Sequence, residues 1–129
     1  MRTKKPRILI VDDSMEQQDM LTEMLLDNYD IISAFNGNQA LRMARTDPQP
    51  DLILMDIIMP SPDGFEVCSI LKAEERTEGI PIVLTSGMGD GRIGKKAAQS
   101  GASAYLNKPF SLLKLNATLD KFLTPLTIA

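Results

Sequence analysis

Short apolar runs, separated from one another by helical patterns, constrain this 129-residue chain more than any other feature. They cover Arg7 to Val11, Asp30 to Ala34, Asp51 to Met55, Pro81 to Thr85 and Ala104 to Asn107. Runs of this length that do not alternate with polar residues read as strands buried on both faces. Strands alternating with helices fold into a parallel sheet, with right-handed crossovers and helices on both sides. In such a sheet all strand C-termini share one edge, where side chains far apart in sequence can meet. Asp12 and Asp13 close ILIVDD, Asp56 closes DLILMD, and Lys108 follows AYLN before Pro109, so the edge becomes an acidic pocket with one cation.

The intervening segments carry helix signals. Ser14 with Gln17 reads as a capping box opening a helix to about Asn28, with Met20, Leu21, Met24 and Leu25 forming one apolar face. After the Asn36-Gly37 turn, a second helix turns Ala40, Leu41 and Ala44 inward and ends at Asp47-Pro48 and Pro50. A loop from Asp56 to Gly64 precedes a third, from about Phe65 to Glu75, with Val67, Cys68 and Leu71 facing the core. Gly87, Gly89, Gly91 and Gly94 predict a fourth helix that starts late, is weak and adjoins a mobile junction. The fifth is expected to be capped near Ser111, to carry Leu112, Leu115, Leu119 and Phe122 on one stripe, and to end by Pro125.

The length predicts a single domain over residues 1–129, with a core of about 7–123 and short flexible termini. No apolar run approaches the roughly 20 residues of a membrane span, and MRTKKPR leads straight into a strand; the expectation is a cytoplasmic protein without membrane contact. A net charge of −3 without a basic stripe argues against direct nucleic-acid binding. The one cysteine, Cys68, excludes an intramolecular disulfide and reads as a small buried helix residue. Histidine is absent, which removes serine-histidine triads, histidine zinc sites and phosphohistidine chemistry on this chain. The remaining carboxylates, hydroxyls and lysine favour hard, oxygen-binding cations such as Mg²⁺. Three carboxylates held together also repel one another and raise one another's pKa unless a cation sits among them.

Asp12-Asp13, Asp56 in DIIMPSPDG, a hydroxyl after the fourth strand and Lys108-Pro109-Phe110 resemble a response regulator receiver domain over about Arg7 to Leu123. The resemblance implies a flavodoxin-like, doubly wound five-stranded parallel sheet in the order 2-1-3-4-5. It implies Mg²⁺ or Mn²⁺ held by Asp12, Asp13, Asp56 and the backbone carbonyl of Ile58, and Asp56 as phosphoacceptor from a sensor histidine kinase or phosphotransfer protein. It also implies a cis Lys108-Pro109 peptide that aims the ammonium into the pocket. For the hydroxyl, Thr85 and Ser86 are adjacent and point to opposite faces. Ser86 lies 30 residues after Asp56 and 22 before Lys108, the family's usual spacings, which favours Ser86 with Thr85 as the alternative.

Tyr105 occupies the family's aromatic switch position, against a simple packing role. Phosphorylation is expected to bias the face of the fourth helix, fifth strand and fifth helix, with Lys95, Lys96, Tyr105 and Lys114, toward a downstream protein, an output domain or a phosphorylation-dependent dimer. Ile58 and Met88 stand at the variable pair that tunes hydrolysis; both are apolar, which predicts a long-lived phosphoryl group. Pro62 is less usual for the family and is expected to stiffen the loop beside the metal. Three competing readings stand beside this one. A haloacid-dehalogenase-type phosphatase needs an Asp where Ile58 stands. A flavodoxin-like cofactor binder would find its phosphate repelled by the acids. A degenerate receiver would act only as an interaction module. The chain itself reads as a stand-alone receiver or as the first piece of a longer regulator, with a faint likeness to receivers of cyclic-dinucleotide synthases or hybrid kinases.

Overall fold

The computed structural model describes residues 4–87 and 91–123. Five strands, β1 (Arg7–Val11), β2 (Asp30–Ala34), β3 (Leu52–Asp56), β4 (Ile82–Ser86) and β5 (Ala104–Asn107), form one parallel sheet in the order β2-β1-β3-β4-β5. They alternate with α1 (Met15–Leu25), α2 (Gly37–Arg45), α3 (Gly64–Lys72), α4 (Gly91–Gln99) and α5 (Leu112–Asp120). This is the architecture and order expected. β1 is paired to β2 on one side and to β3 on the other, so the direction of winding reverses there and leaves a crevice at the strand C-termini.

The apolar runs are buried on both faces as their composition requires: every residue of β3 and β4 is buried. Leu9, Val11, Ile53, Met55, Ile82 and Leu84 meet Ala40, Val67, Leu71 and Ala97 from α2, α3 and α4. On the opposite face Ile8, Ile10, Leu52, Leu54, Val83 and Leu106 meet Leu21 and Leu25 of α1 and Leu115 and Leu119 of α5. Cys68 is fully buried on α3, as expected, and burial pushes its thiol pKa up.

The helices depart from expectation in detail. α1 ends at Leu25 rather than Asn28, and its buried stripe is Gln18, Leu21 and Leu25; Met20 is 45% exposed. Positions 18, 21 and 25 share one helical face, and Met20 lies off it. Only half of the Ser14 capping box forms: Ser14 Oγ accepts from the Gln17 amide, but the Ser14 N–H is taken by the Asp12 carboxylate at 2.9 Å. A complete box stands instead at Asp63 and Glu66, where α3 begins. α3 stops at Lys72 rather than Glu75; there the Lys72 ammonium donates to the carbonyls of Glu78 and Ile80. Asn36 is the N-cap of α2 rather than part of a separate turn. Ser111 caps α5 as expected, yet Leu112 is 43% exposed because it opens the helix one turn ahead of the buried Leu115. Met88, Gly89 and Pro125 lie outside the described residues.

Candidate functional site

Asp12, Asp13 and Asp56 each offer a carboxylate oxygen within 4.8 Å of the others. β1 ends one residue before Asp12 and β3 ends at Asp56, and the two strands are hydrogen-bonded neighbours, so their register alone brings the acids together. Asp12 is 2% exposed and Asp56 9%, whereas Asp13 faces solvent. Beyond β1 the chain is held by the Asp12 N–H, which donates to the Ala34 carbonyl at 3.1 Å.

Lys108 reaches this group from β5. Its Nζ lies 3.3 Å from Asp12 Oδ2 and 3.6 Å from Asp56 Oδ1, and its backbone N–H donates to the Ser86 carbonyl. The Lys108–Pro109 peptide is cis, as expected; Asp47–Pro48 and Ser61–Pro62 are cis as well. Burial holds the Asp56 carboxyl above the usual carboxylate range; Lys108 pulls it back down and the Asp12 charge raises it further. One ammonium therefore leaves three acids undercompensated, and hard oxygen donors converging in one place suit a divalent cation such as Mg²⁺.

The loop after β3 folds back over Asp56. The Ile58 N–H donates to Asp56 Oδ1 at 3.4 Å, and the Gly64 N–H donates to the Ile57 carbonyl at 3.0 Å. A Cβ on Gly64 would fall 2.6 Å from the Asp56 carbonyl oxygen, so only glycine allows this close approach. Ile58 itself points outward, 53% exposed. Pro62 packs against Gly37, where a side chain would strike the Pro62 carbonyl and ring.

Both candidate hydroxyls are buried, Thr85 at 3% and Ser86 at 0% exposure. Thr85 pairs with Asp56 on one side and Leu106 on the other, whereas Ser86, the last residue of β4, pairs with Asn107 beside Lys108. Alternation sets Thr85 on the side of Val83 and the α1/α5 core, and Ser86 on the side of Leu84. Tyr105 is half-buried, and its hydroxyl donates to Asn107 Oδ1 at 2.5 Å. A groove of about 430 Å³, lined by Gln17, Met20, Met24, Lys108, Pro109 and Phe110, opens beside the acids between α1 and the β5–α5 turn. Lys96 of α4 lies over the Phe65 ring of α3, 4.7 Å from its centre.

The sequence reading overlooked Gln18, Gly64 and Asn107. A signal existed for the first, since Gln18 stands three and seven residues before Leu21 and Leu25, a spacing that marks an inward stripe. The close approach at Gly64 and the side-chain bond at Asn107 depend on tertiary placement and leave no local mark.

Residues 8–120 match the response regulator receiver domain family. A chemotaxis protein CheY of Halobacterium salinarum is 35% identical over 119 residues, covering 92% of this chain and 97% of that protein. Other curated relatives that it matches are longer: the chain spans 49% of the transcriptional regulator RpaA of Synechocystis, 36% identical, and 24% of the response regulator PleD of Caulobacter vibrioides, 41% identical. Among solved structures, Vibrio cholerae CheY4 superimposes with a TM-score of 0.85 at 28% identity, covering 93% of this chain and all of that one. The receiver domain of a Syntrophus aciditrophicus histidine kinase gives 0.84 at 31% identity, covering 92% and 89%. With the expected sheet order, the acidic crevice and a match across nearly its whole length, the chain belongs to the response regulator receiver domains of two-component signalling.

Proposed function

We propose that this protein accepts a phosphoryl group on Asp56 from a phosphohistidine of a partner kinase or phosphotransfer protein, and signals by the resulting shift of its α4-β5-α5 face. The observation that carries the reading is the convergence of Asp12, Asp13, Asp56 and Lys108 within contact distance at the crevice. An Asp56 carboxylate oxygen attacks the partner's phosphorus, the P–N bond breaks, and the imidazole leaves with its electron pair. Phosphoryl transfer depends on positioning and charge neutralisation more than on bond chemistry supplied by the protein. The Lys108 ammonium, already beside Asp56, would contact a phosphoryl oxygen. A Mg²⁺ or Mn²⁺ ion on Asp12, Asp13, Asp56 and the Ile58 carbonyl would supply the remaining neutralising charge. The exposed side chains of Met15 and Ile58 and the groove along α1 give a docking partner apolar surface close to the acceptor.

Ser86 is the hydroxyl assigned to the phosphoryl group, with Thr85 a packing residue of β4. Its position at the strand end and its backbone link to Lys108 support this assignment. Its movement toward the phosphoryl group would draw in α4 and Tyr105. Lys95, Lys96 and Lys114, all exposed, would then meet a downstream protein, an output domain or a second copy of the chain. The apolar Ile58, which cannot orient a water molecule, supports slow hydrolysis.

The test is intact mass after incubation with a small acyl phosphate and Mg²⁺, for wild type and Asp56→Asn. Addition of one phosphoryl group to wild type alone is expected. Addition to neither would mean a degenerate receiver read by binding. Donor hydrolysis far beyond one equivalent would mean a phosphatase.

A further inference from the structure

α1 carries one polar side chain into the core. Gln18 is 2% exposed and lies on the stripe otherwise formed by Leu21 and Leu25. Its Nε2 donates toward three backbone carbonyls: Ile10 at 3.1 Å, Asp12 at 3.2 Å and Ala34 at 2.8 Å. Three converging acceptors fix which end of the amide faces them, since only the NH₂ end can donate. The other end has no partner among the described residues: Gln18 Oε1 is buried without a hydrogen bond. An apolar residue at position 18 would leave no such orphaned oxygen, so the amide is a poor choice if packing is its only task.

What the amide holds indicates a task. The Asp12 N–H is already fixed by the Ala34 carbonyl. Gln18 holds the Asp12 carbonyl and the same Ala34 carbonyl, which ties the end of β1 to the end of β2. The Asp12 carbonyl belongs to the peptide plane that leads into Asp13. The strand register ends at Val11 and the Asp12 N–H makes the last backbone bond to β2, so on the carbonyl side Gln18 fixes the plane from which Asp13 springs.

We infer that Gln18 is a positioning residue for the divalent cation: by fixing the Asp12–Asp13 peptide from inside the core, it aims the two carboxylates at a common point. The inference rests on the reading of Asp12, Asp13 and Asp56 as a cation site. A supporting shell of this kind acts on metal affinity without touching the metal, and its loss weakens binding about tenfold or more.

The test uses Gln18→Met, which keeps length and apolar packing but deletes the amide, and Gln18→Asn, which keeps an amide too short to span the three carbonyls. Mg²⁺ binding to the unphosphorylated protein is measured by calorimetry. The rate of phosphorylation by a small acyl phosphate is then followed against Mg²⁺ concentration. Leu115→Ala, a cavity in the same apolar cluster but on α5, controls for lost stability. We expect Mg²⁺ to bind about tenfold more weakly to Gln18→Met. The half-saturating concentration should rise in proportion, the plateau rate should stay within about twofold of wild type, and Leu115→Ala should leave affinity unchanged. If Gln18→Met does not fold, Gln18→Asn should show the same split. Affinity within about twofold of wild type in the folded variants, or a loss matched by Leu115→Ala, overturns the inference. A fallen plateau with unchanged half-saturation does so too, by reducing Gln18 to a packing residue. Wild-type protein that binds no Mg²⁺ would remove the cation site itself, and the inference with it.

Discussion

Replacing Asp56 by Asn should stabilise the protein in the absence of divalent cations. The substitution keeps the shape of the side chain and removes one charge from the crevice. At an effective dielectric constant of about 20, the Lys108 ammonium 3.6 Å away attracts Asp56 by about 4.5 kcal/mol. Asp12, within 4.8 Å, repels it by about 3.5 kcal/mol, and the exposed Asp13 repels it less because water screens it. Attraction and repulsion nearly offset, which leaves the desolvation of a carboxylate that is 9% exposed as the deciding cost. The raised pKa of Asp56 has the same sign and the same leading cause. Asn is therefore favoured by about 1 to 2 kcal/mol, or roughly 3 to 7 °C in Tm for a domain of this size. Folded Asp56 holds its proton to higher pH than unfolded Asp56 does. The folded state thus has its full advantage below the ordinary carboxylate range and loses it as pH rises through the raised value. Urea denaturation in EDTA across that window should show the two proteins equally stable at the acidic end and the Asn variant ahead at neutral pH. Added Mg²⁺ should narrow the gap by binding wild type more tightly. An Asn variant no more stable than wild type in EDTA at neutral pH would refute the argument that the acids are undercompensated.

Other consequences can be checked separately. Gly64→Ala should cost about 1 to 3 kcal/mol in chemical denaturation, because the new methyl meets the Asp56 backbone, and it should slow phosphorylation as well. Lys108→Met should lower metal-free stability by about 1 to 2 kcal/mol, yet bind Mg²⁺ several-fold more tightly by calorimetry, since the competing cation is gone. Ser86→Ala should abolish the amide chemical-shift changes in α4 and β5 that follow phosphorylation, while Thr85→Val should retain them; the reverse pattern would move the hydroxyl role to Thr85. Cys68 should react with iodoacetamide on the order of a thousandfold more slowly than a free thiol, because access requires unfolding.

Much of this architecture could be read from the sequence because buried parallel strands leave an unambiguous mark. ILIV, LILM and IVLT have no polar alternation to suggest another period, and the acids that follow ILIV and LILM fall at the strand C-termini wherever the strand boundaries are drawn. The strand order and the cis Lys108–Pro109 peptide came from the family resemblance rather than from any local propensity. Helix ends were less legible. Ser14 fits a capping box by composition, but Asp12 competes for its N–H, a contact that exists only because the site is built there. On the apolar face of α1, Met20 lines the groove beside Lys108 instead of the core, whereas Met24 borders that groove and also packs against the core. Gln18 has the spacing of an inward residue but a polar side chain, and its role depends on three carbonyls, from β1, from β2 and from Asp12 just beyond β1.

The central claim is that Asp56 is the residue that takes the phosphoryl group, and the most direct test is to locate the modification. Protein phosphorylated with a small acyl phosphate and Mg²⁺ is reduced with borohydride, which converts an aspartyl phosphate into homoserine, then digested and sequenced by tandem mass spectrometry. Homoserine at position 56 alone, absent when Mg²⁺ is replaced by EDTA, is the predicted result. Homoserine at position 12 or 13, or a stable phosphate on Ser86 or Thr85, would contradict the account.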